Sequence, residues 1–351
     1  MKMRIEPVYN RVGQIYEPFK VRFLERTITE LKEDEVLLRV RASAICGNDL
    51  HIARGKHPSA PLPCTIGHEF SGEVLKAGEG VTNVRPGDRV TVEPCIVCGK
   101  CEACRHGDYG YCEHISYTYR NGDGAMADHI VVKAPYVYRL PEYMTYKTGA
   151  LTEPLSVAVH AVRKAEVCLG DTVLIIGAGA IGMLIAAVCR QSGAQRIIIA
   201  DHNDRRLETA LQMGADIAVN SREKDLEAEI ARLTYGRGVD KSFECVGHES
   251  CFRQAINTLR HGGTATIAGI YEDQDLHFAP VRLVTHEIRV QGTQGYCWDF
   301  PVAIAAAKSI PLEKLITHTF PLSRLQDALD TALDQSSGCI KVLLLPDGAG
   351  S

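Results

Sequence analysis

One stretch constrains this chain more than any other: an apolar, β-branched run that turns directly into a glycine triplet. Thr172-Val-Leu-Ile-Ile-Gly-Ala-Gly-Ala-Ile-Gly182 reads as a buried strand entering G-x-G-x-x-G. A helix-like run to about Ser192 follows, then a second candidate strand, Arg196–Ala200, ending at Asp201. In such a unit Gly177 makes the tight turn, Gly179 lets the backbone approach a pyrophosphate, and Gly182 allows close helix–strand packing. The helix N-terminus offers N–H groups and the positive end of its dipole. Gly177, Gly179, Ala180, Ile181 and Gly182 are therefore expected to hold a dinucleotide. Asp201 can accept hydrogen bonds from the adenosine ribose hydroxyls and would repel a 2′-phosphate, which favours NAD over NADP. Arg205 and Arg206 beside it pull the other way. The alternative is a glycine-rich structural turn with an incidental aspartate.

The same stretch runs uncharged for 18 residues, Thr172 to Cys189, close to the lower bound of about 18–20 for a membrane span. Three glycines interrupt it, so strand, turn and helix fit better than a span. The first ten residues mix Lys2, Arg4 and Glu6 with apolar side chains and do not read as a signal peptide. A formal charge of −4 with no basic block excludes an electrostatic footprint for nucleic acid or an anionic membrane. With 351 residues, two domains are expected.

The texture changes along the chain. Up to about residue 150 it is rich in strands and turns: Glu35–Arg41 alternates as a half-buried strand, Glu69–Leu75 is another, and Val84–Arg89 is a turn. From about Pro154, strands alternate with helical patterns, which implies parallel βαβ units. The candidates are strands Thr172–Ile176, Arg196–Ala200, Lys241–Cys245 and Thr264–Ala268, and helices Gly182–Ser192 and Asp204–Met213. After Trp298 come a helical segment, Val302–Lys308, a short strand, Ile340–Leu344, and a Gly-Ala-Gly-Ser tail expected to fray.

Thirteen cysteines are many for an intracellular enzyme, and five lie between Cys95 and Cys112. Cys98, Cys101, Cys104 and Cys112 give C-x2-C-x2-C-x7-C on a glycine-containing loop, a spacing that can close a tetrahedral thiolate shell around a structural Zn²⁺. An iron–sulfur cluster or two disulfides are the competing readings, and Cys95 is a spare thiol. Three further segments carry ligand-type residues: Ile45-Cys46-Gly47-Asn48-Asp49-Leu50-His51, Gly67-His68-Glu69 and Leu151-Thr152-Glu153-Pro154-Leu155. One thiolate, one imidazole and one carboxylate from these would leave a fourth zinc position open, although the spacing alone is not diagnostic.

Taken together and in order, C-G-x-D-x-H, G-H-E, the four-cysteine lobe, E-P-L, G-A-G-x-I-G and the strand-terminal aspartate resemble the zinc-dependent medium-chain dehydrogenases across essentially the whole chain. Glu153-Pro-Leu-Ser-Val-Ala-Val-His-Ala161 and Gly295-Tyr-Cys-Trp-Asp-Phe-Pro-Val-Ala-Ile304 resemble the polyol (sorbitol/xylitol-type) branch. The resemblance implies an α/β fold: a Rossmann doubly wound parallel sheet, 155–297, inserted in a β-rich GroES-like catalytic domain, 1–154 and 298–351. It implies two zinc ions per chain, a homodimer or homotetramer, and a cytoplasmic enzyme. Carried over residue by residue, Cys46, His68 and Glu153 would bind the catalytic zinc. Glu69 would stand behind them or serve as an alternate ligand, and Asp49 would orient the site. Arg206 would lie against the adenosine end of NAD, and Val246, Ala268 and Gln294 near the nicotinamide half.

Three departures fall on the expected substrate side. Asn48 stands where the family usually has the Ser or Thr that relays the alcohol proton. Gly295 replaces an arginine of the polyol branch, and Ile52 and Ala53 replace aromatic residues. An amide neither gains nor loses a proton near neutral pH, so the relay is expected to pass to His51, or else to a water on Glu69 or Glu153. The expected activity is NAD-linked oxidation of a secondary alcohol of a polyol or sugar derivative to a ketone. A threonine 3-dehydrogenase-like or sugar-acid dehydrogenase is the alternative, and a non-catalytic NAD- and zinc-binding protein the rival of another class.

Overall fold

The computed structural model describes residues 2–55, 60–118, 124–271 and 275–348. The chain separates into two compact units, Met1–Glu153 with Leu315–Ser351, and Pro154–Lys314. In the second unit six parallel strands form one sheet. Its order is Ile217–Asn220, Arg196–Asp201, Thr172–Ile176, Val239–Glu244, Leu259–Ile267 and Arg289–Gly292, so the strand order reverses beside Thr172–Ile176. The uncharged 18-residue stretch resolves into the central strand, the turn and the helix Ala180–Gln191, whose interior face is buried apolar surface. No helix among the described residues is long and apolar enough to cross a membrane.

The first unit is built on a seven-stranded sheet. Glu35–Ala44 is its hub, pairing antiparallel with Glu69–Ala77, His129–Lys133 and the C-terminal strand Lys341–Leu345. Leu38, Val40, Phe70, Val90 and Ile130 from these strands and Arg89–Val92 fill one core. Each such side chain gains about 1.5–3 kcal/mol from full burial. Ahead of the hub a long antiparallel hairpin, Lys2–Glu17 with Lys20–Lys32, was not legible in the sequence, because its exposed face is so heavily charged.

The second crossing between units falls at Lys314–Leu315 rather than at the expected 298. The cause is local. Asp299 precedes the helix Phe300–Ala306, accepts from Arg163 Nη1 at 2.5 Å and pairs with His160 Nδ1 at 2.8 Å. Gln191 Nε2 donates to Ala306 O and Ser309 Oγ at 3.0 and 2.8 Å. These bonds bind 299–309 to the helices of the second unit. Of the C-terminal tail, residues 349–351 lie outside the described residues.

Candidate active site

Cys46 caps the start of the helix Gly47–Ala53, His68 immediately precedes the neighbouring strand, and Glu69 opens it. Gly67 makes their placement possible: its φ is +101°, and a Cβ there would stand 2.8 Å from Met126 N. Ligand atoms of Cys46, His68 and Glu69 all lie within 4.8 Å of one another. Asp49, fully buried, ties this group together. Its Oδ2 accepts from Cys46 N at 2.9 Å, its Oδ1 accepts from Gly67 N at 3.4 Å and sits 3.4 Å from His68 Nδ1.

Sequence reasoning missed the group's cation. Lys341 Nζ donates to both carboxylate oxygens of Glu69 at 2.8 Å, and the two residues are only 5% and 1% exposed. Burial alone would lower the lysine's pKa. Glu69 and Cys46, with Glu153 further off, outweigh burial and hold it raised. The same surroundings govern the ligands. Burial and then Glu69 push the Cys46 thiol up. For His68, burial opposes the charge, but Asp49 and Cys46 prevail and raise its pKa well above the ordinary value. A metal entering here must displace both protons.

Glu153 is buried in the first turn of the helix Thr152–Ala165, followed by a proline that suits a helix start. It is close enough to bear on Lys341 electrostatically, but it is not among the carboxylates within 4.8 Å of Cys46 and His68. Asn48 and His51 are half-buried and three residues apart on one helix, hence on one face. Ile52 and Ala53 correct an expectation: both are fully buried among Ile15, Ile66 and Leu325. The helical period turns them inward with Asp49, so they do not line a substrate side.

The four-cysteine lobe fits one metal ion. Its Sγ atoms lie within 4.8 Å of one another, and Cys98 and Cys104 Sγ are 4.0 Å apart. A Zn–S length of about 2.3 Å gives a tetrahedron edge of about 3.8 Å. None of the thirteen cysteines is joined in a disulfide, which goes against the two-disulfide reading, and Cys95 is buried outside the cluster. Backbone N–H groups of 100 and 101 point at Cys98 and lower its thiol to about 6. Those of 104 and 113 lower Cys101, whereas burial pushes Cys104 up to about 12. The lobe is pinned by buried Glu93, which accepts from Tyr109 OH at 2.8 Å and Tyr138 OH at 3.0 Å.

In the second unit the three glycines differ as a dinucleotide requires. Gly177 has φ +105°, and a Cβ on Gly182 would stand 1.9 Å from Gly177 O, so a side chain is excluded there. Gly179, which caps the helix Ala180–Gln191, has nothing within 4 Å of its notional Cβ and leaves an open cradle. Asp201 Oδ2 accepts from Ala178 N at 2.8 Å, and Oδ1 accepts from His202 N and Asn203 N at 2.8 and 2.9 Å. Arg206 stands in the first turn of the next helix, which is capped by Asn203. Val246 and Gln294 are exposed, and Ala268 is half-buried. Buried Glu244, also missed, joins two loop starts: its side chain accepts from Val246 N, Gly247 N and Tyr271 OH, and its carbonyl from Ala268 N.

Residues 32–142 match the alcohol dehydrogenase GroES-like domain, and residues 180–309 match the zinc-binding dehydrogenase domain. Sorbitol dehydrogenase of Bacillus subtilis is 33% identical over 326 residues, covering 91% of this chain and 92% of the relative. L-threonine 3-dehydrogenase of Anaeromyxobacter sp. is 32% identical over 326 residues, covering 90% and 92%. Among solved structures, 2R,3R-butanediol dehydrogenase from Bacillus subtilis superposes with a TM-score of 0.88 at 30% identity, covering 96% of this chain and all of that one.

Breaking the buried pair at the metal group should be costly, because Glu69 would be left charged and uncompensated. Lys341→Met is expected to lower unfolding stability by about 3–5 kcal/mol, with Lys341→Met/Glu69→Gln recovering a large part. Denaturant midpoints of the wild type, both single variants and the double variant measure this coupling.

Proposed function

Because the chain belongs to the zinc-dependent medium-chain dehydrogenases, we propose that it oxidises a secondary alcohol of a polyol or sugar derivative to a ketone with NAD. The observation that carries the reading is the convergence of Cys46, His68 and Glu69 ligand atoms within 4.8 Å in a buried group. When bound, zinc supplies a Lewis acid for the alcohol oxygen and NAD accepts the hydride. Cys46, His68 and Glu153 would hold the zinc. Glu69, with both oxygens on Lys341, would stand behind them and serve as an alternate ligand. Asp49 orients His68 and the start of the Cys46 helix. Cys98, Cys101, Cys104 and Cys112 would hold the second, closed zinc.

Gly177, Gly179, Ala180, Ile181 and Gly182 would seat the pyrophosphate, and Asp201 the adenosine ribose, with Arg206 beside the adenosine. Val246, Ala268 and Gln294 would meet the nicotinamide half. Asn48 holds the alcohol or a water through its amide and passes no proton. His51, on the same helix face, takes the proton. A threonine or sugar-acid substrate would need a basic anchor for its carboxylate. The buried cation of the group is already committed to Glu69, which favours a neutral polyol. The four clustered thiols of the Cys98–Cys112 lobe support a reducing, cytoplasmic setting. The edge strand Arg289–Gly292, with its own Val290 and with Val281 and Val284 of the preceding helix Val281–Thr285 exposed, supports a homodimer or homotetramer.

Metal analysis should find two zinc ions per chain. Glu153→Gln should lose about one equivalent and Glu69→Gln retain it; the reverse would make Glu69 the direct ligand. Because Cys46 and His68 hold their protons more tightly than usual, zinc uptake at that site should strengthen as pH rises and weaken as it falls, with proton release on binding.

His51→Gln should lower kcat about 10²-fold near neutral pH, with partial recovery at high pH. An unchanged kcat and pH profile would transfer the proton to a glutamate-bound water.

Asp201→Ser removes the repulsion of a 2′-phosphate while Arg205 and Arg206 remain. It should shift kcat/KM toward NADP by about ten- to a few hundredfold, each tenfold being about 1.4 kcal/mol. A wild type that already prefers NADP would overturn the role given to Asp201.

A further inference from the structure

Glu244 ends the strand Val239–Glu244 and is wholly buried, a costly place for a carboxyl group unless its lone pairs are used. They are used on two separate loops. On the first, Oε1 accepts from Val246 N at 2.8 Å and Gly247 N at 2.9 Å. On the second, Oε2 accepts from Tyr271 OH at 2.8 Å, and the Glu244 carbonyl accepts from Ala268 N and Gly269 N at 2.8 and 2.9 Å. The loops meet closely over this residue: a Cβ on Gly269 would stand 2.3 Å from Gly247 N and 2.4 Å from Glu244 Oε2. The Tyr271 ring meets Phe252 edge to face, with centroids 6.4 Å apart. Burial, and then Glu244, push its phenol up, so it remains a donor.

The place of these loops gives the carboxylate a use. Strand order reverses between Thr172–Ile176 and Val239–Glu244, and ligands of parallel sheets bind in the crevice beyond the carboxyl ends at such a reversal. The glycine turn is one wall of that crevice. Val246 is the other: a Cβ on Gly177 would stand 2.9 Å from Val246 Cγ2, and Cys245 N donates to Ile176 O at 2.9 Å. Asp201, proposed for the adenosine ribose, ends the strand on the far side of Thr172–Ile176. A dinucleotide laid across the turn from Asp201 therefore carries its nicotinamide half toward the ends of Val239–Glu244 and Leu259–Ile267.

We propose that Glu244 is a positioning residue for the nicotinamide half of the cofactor, locking loops 245–247 and 268–271 together through their amides and Tyr271. The inference rests on the pyrophosphate seat proposed above and adds a residue that, being wholly buried, acts through the loops. Loops that must be ordered on binding lower affinity by the cost of ordering them. The cofactor is bound in full only by the fraction of molecules with both loops in place, and apparent affinity falls with that fraction.

NAD and ADP separate this role from a general loosening of the unit, because ADP carries the adenosine and pyrophosphate without the nicotinamide riboside. Dissociation constants of both are measured by calorimetry on the zinc-loaded wild type, Tyr271→Phe, Glu244→Gln and Glu244→Ala. Tyr271→Phe keeps the ring on Phe252 and removes the phenol's bond. It should weaken NAD about five- to tenfold and leave ADP within about twofold. Glu244→Gln should stay near the wild type for both ligands. Its amide oxygen can accept from Val246 N and Gly247 N while its NH2 donates to the phenol oxygen. Glu244→Ala, which loses all three bonds, should weaken NAD further than Tyr271→Phe does. NAD affinity unmoved in Tyr271→Phe, or NAD and ADP weakened alike, overturns the inference and leaves the pyrophosphate seat standing. Glu244→Gln losing NAD as Glu244→Ala does makes the charge rather than the bonds decisive and overturns it too. A wild type that binds neither NAD nor ADP fails the pyrophosphate seat and takes the inference with it.

Discussion

The first unit depends on one buried ammonium. Cys46, Glu69 and Glu153 bring a thiol and two carboxyls into the range of Lys341, with Asp49 and His68 at their back. A buried carboxylate without a partner is expensive, and a buried ion pair gains little over an apolar pair of the same volume. The Lys341–Glu69 pair therefore does not explain stability by its presence. It explains why the metal group can keep its charge, and why removing one partner is so costly. It also gives a physical reason for the discontinuous unit. The lysine comes from the C-terminal strand, 272 residues from Glu69, so the chain must return to the first sheet before the group is complete.

This separation decides what could be read from the sequence. Where residues are close along the chain, the chemistry was legible. The turn Gly177–Gly182 with Asp201 and the Cys98–Cys112 lobe both appear in the structure with the geometry their spacing requires. Strands Thr172–Ile176 and Arg196–Asp201 were legible for the same reason, since buried parallel strands are continuous apolar runs. Cys46, His68 and Glu153 are far apart, and only resemblance to a family linked them. Lys341, Glu93 and Glu244 carried no signal, because a lone charged residue in a strand reads as solvated until its buried partner is known. Ile52 and Ala53 were misplaced by comparison with aromatic positions in relatives, although the helical period from Asp49 already turns them inward.

The two metal groups differ for reasons visible in their backbones. In the lobe, N–H groups of successive short turns face the sulfurs, bring Cys98 to about 6 and lower Cys101, whereas burial holds the proton on Cys104. Four identical donors would close the shell around a zinc ion and leave no position for substrate. At Cys46 and His68 the surroundings are buried and rich in carboxylates, and both groups keep their protons without metal. Such a group binds a cation by exchange against protons, with mixed donors that need not close around it.

In the role proposed for it, Asp201 would join cofactor choice and loop structure in one side chain. Its carboxylate accepts from Ala178 N inside the glycine turn and from His202 N and Asn203 N in the turn that follows. Oδ2, with one amide bonded, keeps a lone pair that a ribose hydroxyl could use, so the same group can fix both turns and still meet a cofactor. Replacing it therefore changes two things: the charge met by a 2′-phosphate, and the bonds that hold the Gly177–Gly182 turn against the end of the neighbouring strand. A hydroxyl can reach some of these amides, whereas an alanine reaches none, and buried N–H groups left without acceptors cost about 1–3 kcal/mol each. The effect of a small apolar residue here is therefore to loosen the pyrophosphate cradle for either cofactor, and only a short polar residue separates specificity from the integrity of the turn.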